Sequence, residues 1–287
     1  MKKYNFVFLC LTRDCENYLD IFFNFLDTFP KKIRLKVIFG ENNSKDNTKK
    51  KINDYIHKSK KNHKLLNLTS LNRVNDRIER ITKGRHLLKN YLIKKKIKSD
   101  YVCVMDLDNV LSKKLNLNYA KLKKLANNLK KKNNKLNGIS VKSKPYYYDI
   151  LAFKSKKFDL PNILQIQRSK QFFNAYYLRK KYIYSLQKKI NKQKKLMTIS
   201  SFNGLCVYNY DDYILGDYYY RENKLINNDK SLNEHMKFNL SLYKLNKKHI
   251  LIDDIFKLKT PEEHIPAQSF FYFVFNKVKN LIVKFFL

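Results

Sequence analysis

The apolar run Tyr101–Met105 stops at two carboxylates one residue apart, Asp106 and Asp108. The run reads as a buried strand, and alternate residues of an extended chain point to one side. Both carboxylates therefore face one spot just beyond the strand end, where open α/β sheets place their ligands. Two hard oxygen donors there suit Mg2+ or Mn2+ carrying the phosphates of a nucleotide. A solvated turn after a strand would read the same way, so the order of the surrounding elements has to decide.

That order alternates. Asn5–Leu11 reads as a strand and Glu16–Phe29 as a helix, with Tyr18, Leu19, Phe22, Phe23 and Leu26 near helical spacing. Arg34–Phe39 is a strand that breaks into the polar loop Gly40–Thr48. A basic helix over Thr48–Lys58, a short strand over Asn67–Leu71 and a helix over Arg77–Lys95 lead to the acidic strand. This rhythm implies a mainly parallel sheet with right-handed crossovers. The second half is less regular. Helices are expected over Asn118–Lys132, Gln165–Lys195 and Ser231–Leu245. Strands are expected over Gly138–Val141, Tyr148–Phe153, Ser201–Tyr208 and His249–Ile252.

Composition narrows the class. At 287 residues and 44% hydrophobic, the chain can build one large α/β core. Its net charge of +37 invites a nucleic-acid reading. Lys, Asn, Ile, Tyr and Phe are all abundant, with only 5 Gly and 5 Pro, which is the signature of AT-rich codons and explains much of the excess. What remains is a surface drawn to polyanions, anionic lipid or nucleotide phosphates. Cys10, Cys103 and Cys206 lie in apolar runs, Cys15 stands apart, and no Cys-x-x-Cys occurs. This pattern fits buried thiols in a reducing cytosol without a structural metal. The basic and apolar N-terminus reads as a first strand rather than a signal peptide.

The motifs in sequence resemble the nucleotide-sugar half of a GT-A glycosyltransferase. One strand ends in Thr12-Arg13, and the next ends in Glu41-Asn42-Asn43-Ser44-x-Asp46-x-Thr48. A helix bearing Arg77, Arg80 and Arg85 follows, then Asp106-Leu107-Asp108. Gly84-Arg85-His86 stands where that family has Ala-Arg-Asn. Tyr147-Tyr148-Asp149, Ser201-Phe202-Asn203-Gly204 and Asn233-Glu234-His235 are loosely similar to motifs of a subgroup that includes fungal capsule-associated mannosyltransferases and related bacterial and viral proteins. The resemblance covers Asn5 to Leu258. It implies a GT-A (Rossmann-like) sheet flanked by helices as a single domain over 1–265, with a nucleotide-sugar half (1–110) and an acceptor half (111–265). It also implies hexosyl transfer, conceivably mannosyl, from a UDP- or GDP-sugar to a glycan, lipid-linked or protein acceptor.

Under that resemblance Asp106, Asp108 and His235 hold Mn2+ or Mg2+, and Thr12, Arg13, Glu41, Asn43, Asp46 and Arg85 meet the donor. Tyr148, Asp149, Asn203 and Gly204 meet the acceptor, and Glu234 acts as general base. The chemistry agrees, since a leaving diphosphate needs a Lewis acid and basic groups to share its charge. Simpler roles stay open at each position. Asp46 or Ser44 can be a helix cap, Asn203-Gly204 a tight turn, and Ser231-x-x-Glu234 a capping box. Arg77, Arg80 and Arg85 are not expected to share one helix face. His249 and His264 are further candidates for a late metal ligand. The rival classes are a nucleic-acid-binding protein or metal-dependent nuclease, and a nucleotidyltransferase. No sequence-specific nucleic-acid partner is expected. The tail, 266–287, mixes Phe, Val and Leu with Lys277, Lys279 and Lys284 and reads as a basic amphipathic helix. Such a helix suits an anionic membrane surface, placing the protein in the cytoplasm, peripherally on the inner face of a membrane.

Overall fold

The computed structural model describes residues 3–132, 135–158, 176–221, 233–267, 269–275 and 278. The first half follows the expected alternation: β1 (Tyr4–Thr12), α1 (Glu16–Asp27), β2 (Leu35–Glu41), α2 (Thr48–Ser59), β3 (Lys64–Asn67), α3 (Arg77–Lys94) and β4 (Ser99–Met105). After it come α4 (Tyr119–Lys131), β5 (Leu136–Lys144), α5 (Ser185–Lys192), β6 (Lys195–Thr198) and β7 (Leu205–Asn209). A short α6 (Tyr210–Leu215), α7 (Glu234–Asn246) and β8 (His249–Lys259) complete it.

All eight strands form one sheet in the order β3-β2-β1-β4-β7-β5-β8-β6. The β1–β2, β2–β3, β1–β4 and β5–β8 pairs are parallel, and β7 and β6 run antiparallel to their neighbours. Both faces are covered, which is why the central strands are continuous apolar runs. Along β1, Phe6, Phe8 and Cys10 pack with α1 and α4 on one face, while Val7 and Leu9 pack with α3 and α7 on the other. Helix α1 buries Leu19, Phe22, Phe23, Phe25 and Leu26, each worth roughly 1.5–3 kcal/mol of burial. All four cysteines are buried free thiols.

The chain leaves β1 toward β2 and β3, then returns to the opposite side of β1 as β4. The carboxyl ends of β1 and β4 therefore flank a switch point, where a crevice must open. Thr12 ends one strand, and Asp106 follows the other.

Several expectations are corrected. The strand expected at Asn67–Leu71 lies earlier, at Lys64–Asn67, and Thr69–Arg73 is a 3-10 turn. Leu68 and Leu71 are buried, but as turn residues beneath α3 rather than in the ladder. Tyr148–Phe153 is not a strand, because Asp149 caps a 3-10 turn over Ile150–Ala152 by accepting from the Ala152 amide. Ser201–Gly204 is a turn, and β7 starts only at Leu205. Of the long helix expected over Gln165–Lys195, residues 165–175 lie outside the described residues. Arg179–Tyr184 is a π-helical turn, and Lys195 already begins β6. Helix α7 starts at Glu234 with Asn233 as its cap, whose side chain accepts from the Met236 amide. Glu234 is thus the first helical residue and not the third, so the capping-box geometry does not apply to it. Ser231 itself lies outside the described residues.

Candidate active site

A cleft of about 510 Å3 opens at the β1–β4 switch point. Its floor is the Asp106-Leu107-Asp108 turn. Leu107 is turned into the core, and both carboxylates line the cleft. The Asp106 amide donates to the Gly204 carbonyl at 2.9 Å, tying the turn to β7. Gly204 has φ +83, and a Cβ there would lie 2.9 Å from both Leu258 Cδ1 and the Tyr148 hydroxyl, so only glycine fits. The Asp108 carboxylate accepts from the Val110 amide at 3.2 Å.

Arg85 on α3 reaches this floor. Gly84 permits it, since a Cβ there would sit 2.8 Å from Leu11 Cδ1 and push α3 off β1. Arg85 Nη2 donates to Asp106 Oδ1 in an ion pair, while Nε and Nη1 are buried without hydrogen-bond partners. The guanidinium also lies 5.7 Å from the Phe202 ring centroid. Burial raises the Asp106 carboxyl above its ordinary range, and the Arg85 charge pulls it back. Asp108 is reached by solvent, yet the cleft walls and then the Asp106 charge push it up to about 7. Two carboxylates that resist holding both charges are a natural seat for a hard cation. Among the described residues, no three His, Cys, Asp or Glu side chains converge in a metal-binding cluster. Asp106 and Asp108 are the pair that could hold an ion, one that would keep its other positions for substrate phosphate and water.

The two loops beside the floor are clasped together. Backbone amides of Asp14, Cys15 and Glu16 donate to the side chains of Ser44, Thr48 and Asp46. The Lys45 and Asn47 amides return bonds to Asp14 and Glu16. Although slight burial works to raise it, bonds from Thr48 and Glu16 hold the Asp46 carboxyl below its usual range. Glu41 is buried and accepts from the Ser44 amide. Glu41, Asn43 and Asp46 thus lie off the cleft wall, Glu41 and Asp46 bracing the loops, while Asn42, Thr12 and Arg13 do line it. Asn42 Oδ1 is buried and without a hydrogen-bond partner. Sequence spacing missed this because the chain turns at Asn43, at φ 51, and sends neighbouring side chains different ways.

The opposite wall carries Tyr148, Asp149, Glu234 and His235. Glu234 is raised above the usual carboxylate range by burial, with Arg85 opposing. Asp149 is pushed up to about 7 by burial and then by the Glu234 charge. His235 is held neutral by burial, its ring stacked 3.4 Å from that of Phe202. Its Nε2 lies 3.4 Å from Glu234, and it does not join Asp106 and Asp108 in a three-ligand set. Asn203 is fully buried: its amide donates to Val141 O and Ser143 Oγ, and its Oδ1 accepts from the Tyr148 and Asp149 amides. Asn203 and Gly204 are therefore the frame of this wall, and neither lines the cleft.

No protein-family model matches the sequence, and no curated protein matches it. Solved structures do match. Staphylococcus aureus TarS (1–349) is similar with a TM-score of 0.50 at 17% identity, over 91% of this chain and 61% of that one. This chain thus spans about three fifths of that structure. Glucosyl-3-phosphoglycerate synthase from Mycobacterium tuberculosis, solved with Mn2+, UDP and glucosyl-3-phosphoglycerate, gives 0.48 at 9% identity, over 92% and 75%. The fold is GT-A.

Within this GT-A fold, Arg77, Arg80 and Arg85 all line the cleft, contrary to the helical-wheel expectation. The side chains are long enough to curl around α3, and Arg80 anchors on the Val74 carbonyl at 3.2 Å. Also unforeseen were Asn109, bonded to Glu263, and Arg179 and Gln187 from beyond the sheet. No local pattern marks them, because tertiary packing brings them in. His264 lines the mouth, 5.3 Å from the Tyr148 ring, whereas His249 lies in a separate pocket by β6.

Proposed function

We propose that this chain transfers a sugar from a nucleoside-diphosphate donor to a hydroxyl acceptor. The observation that carries the reading is the acidic pair at the switch point with the buried Arg85 behind it. Asp106 and Asp108 are the residues that would hold Mn2+ or Mg2+, which would supply Lewis-acid stabilisation of the leaving diphosphate. Arg85, with two unpartnered nitrogens, and Arg77 add fixed positive charge where negative charge develops. Thr12, Arg13 and Asn42 border the space for the nucleoside end of a UDP- or GDP-sugar. Glu234, its carboxyl raised by burial and lining the cleft, would take the acceptor proton, with Asp149 and Tyr148 on the same wall. The acceptor class is a glycan, a lipid-linked sugar or a protein hydroxyl.

A panel of UDP- and GDP-sugars assayed with Mn2+ for nucleoside diphosphate release tests the reading. Asp108→Asn should keep the fold and lose most turnover. An unchanged rate in that variant would remove the metal assignment. Nucleotide incorporated into a product, with no diphosphate released, would mean a nucleotidyltransferase.

A membrane-facing tail belongs to the same proposal. Phe273 packs on Tyr176, and this turns Phe271 (83% exposed), Tyr272 and Phe275 outward. The strong net positive charge favours anionic lipid as what covers them. Among the described residues no helix is long and apolar enough to cross a membrane, and residues 279–287 of the expected tail lie outside them.

A further inference from the structure

One end of the cleft carries groups that the donor chemistry leaves unused. The π-helical turn Arg179–Tyr184 and α5 bring Arg179 and Gln187 to the wall, against the 3-10 turn Glu262–His264. Gln187 is 1% exposed, and its Nε2 donates to the His264 carbonyl at 3.2 Å. That bond fixes the amide orientation and leaves Oε1 buried with no hydrogen-bond partner. Arg179 Nε is likewise buried without one, and the guanidinium lies 5.9 Å from the Phe273 ring centroid. Among the described residues no carboxylate pairs with Arg179. A buried donor and a buried acceptor left open together cost free energy unless a ligand fills them.

All these groups line one cleft. The charges of Arg85 and Arg77 act on Asp106, and those of Arg179 and Arg77 act on His264. The Tyr148 and His264 rings, 5.3 Å apart and inclined at 33°, line the same cleft and offer apolar surface to a sugar ring. A guanidinium requires an anionic oxygen, and a fixed amide oxygen requires a hydroxyl.

We propose that the Arg179–Gln187 end of the cleft is an acceptor subsite for a hydroxylated molecule bearing a negative group, a phosphate or carboxylate. The anion pairs with Arg179, a neighbouring hydroxyl donates to Gln187 Oε1, and the ring rests on Tyr148 and His264. This rests on the glycosyltransferase reading, whose acceptor class it narrows.

The test is calorimetric, on the full chain saturated with Mn2+ and UDP so that the diphosphate region is filled. Three probes are titrated: a neutral hexose, the matching hexose 6-phosphate and the matching hexuronic acid. The anionic probes should bind at least about 10-fold more tightly than the neutral one, the size of one charge-assisted hydrogen bond. Comparison of the phosphate and the uronate tells which anion the site prefers. Arg179→Gln should erase the preference and leave UDP affinity unchanged. Gln187→Leu should weaken all three probes alike. Equal binding of the three probes, or a preference that survives in Arg179→Gln, overturns the subsite. Binding of neither UDP nor GDP by the wild type would instead sink the donor reading, and binding of GDP alone moves the titrations to GDP, so the two failures are told apart.

Discussion

Asp106→Asn and Asp108→Asn remove chemically identical groups two positions apart, and the structure assigns them opposite effects on stability. The Asp106 side chain is 25% exposed, but its partner Arg85 is only 4% exposed. With the carboxylate gone, a buried guanidinium whose Nε and Nη1 already lack partners loses its hydrogen-bonded counter-ion. Breaking a buried pair from one side costs about 3–5 kcal/mol. The Asn amide oxygen can still accept from Nη2, and the Glu234 charge acts on Arg85, so the lower end applies, about 3 kcal/mol. At roughly 2–4 °C per kcal/mol, Tm should fall by about 6–12 °C. Asp108 is exposed and crowded by the charges of Asp106 and Glu263, so its neutralisation should leave Tm unchanged or raise it. Arg85→Met combined with Asp106→Asn removes both charges and should recover most of the loss, while sugar transfer stays absent. Scanning fluorimetry without metal or nucleotide, alongside diphosphate release, reads all four proteins. An Asp106→Asn Tm within about 2 °C of the parent, or a double variant no more stable than the single one, would refute the ion-pair reasoning.

Three further outcomes are expected. Glu234→Gln should cut transfer by ~10²–10⁴-fold with little change in Tm, since Asn233 supplies the helix cap; a lower Tm with near-normal turnover would make Glu234 structural. Asp149 is raised to about 7, so between about pH 4 and 7 the folded state binds its proton more tightly than the unfolded chain, and its contribution to stability falls as pH rises through that window. Asp149→Asn should therefore gain in Tm relative to wild type on going from pH 5 to pH 8, and a constant difference across that range would contradict the burial of its charge. The full chain should sediment with anionic vesicles at low salt, and a version ending near Ala267 should not; if both stay in the supernatant, the tail packs on the protein instead.

The sequence carried the acidic floor of the cleft because that information is local. Strand spacing pointed Asp106 and Asp108 to one side, and although both lie in the turn just after β4, both do line the cleft, with Leu107 between them packed in the core. The alternation of apolar runs likewise implied a mainly parallel sheet flanked by helices, while the place of the acidic strand beside β1 came from the structure. Helix α3 was also legible, and with it Arg85.

Loops were not legible in this way, because their side-chain directions follow from contacts rather than from a period. Glu41 and Asp46 have the right chemistry for a nucleoside, yet their oxygens are taken by Ser44, Glu16 and Thr48 amides. Asn203 has the right chemistry for a sugar, yet it is used up in holding Tyr148 and Asp149. Asn42, Arg179 and Gln187 could be found only in the folded molecule, since Asn42 and Arg179 sit in turns and Gln187 reaches the cleft through the packing of α5. The sequence by itself determined the mainly parallel α/β class and the acidic pair at a strand end; the strand order and the switch point between β1 and β4 came from the tertiary structure. Tertiary structure alone decided which of the neighbouring polar groups keep a free hydrogen-bonding atom, because that depends on what every other group nearby has already satisfied.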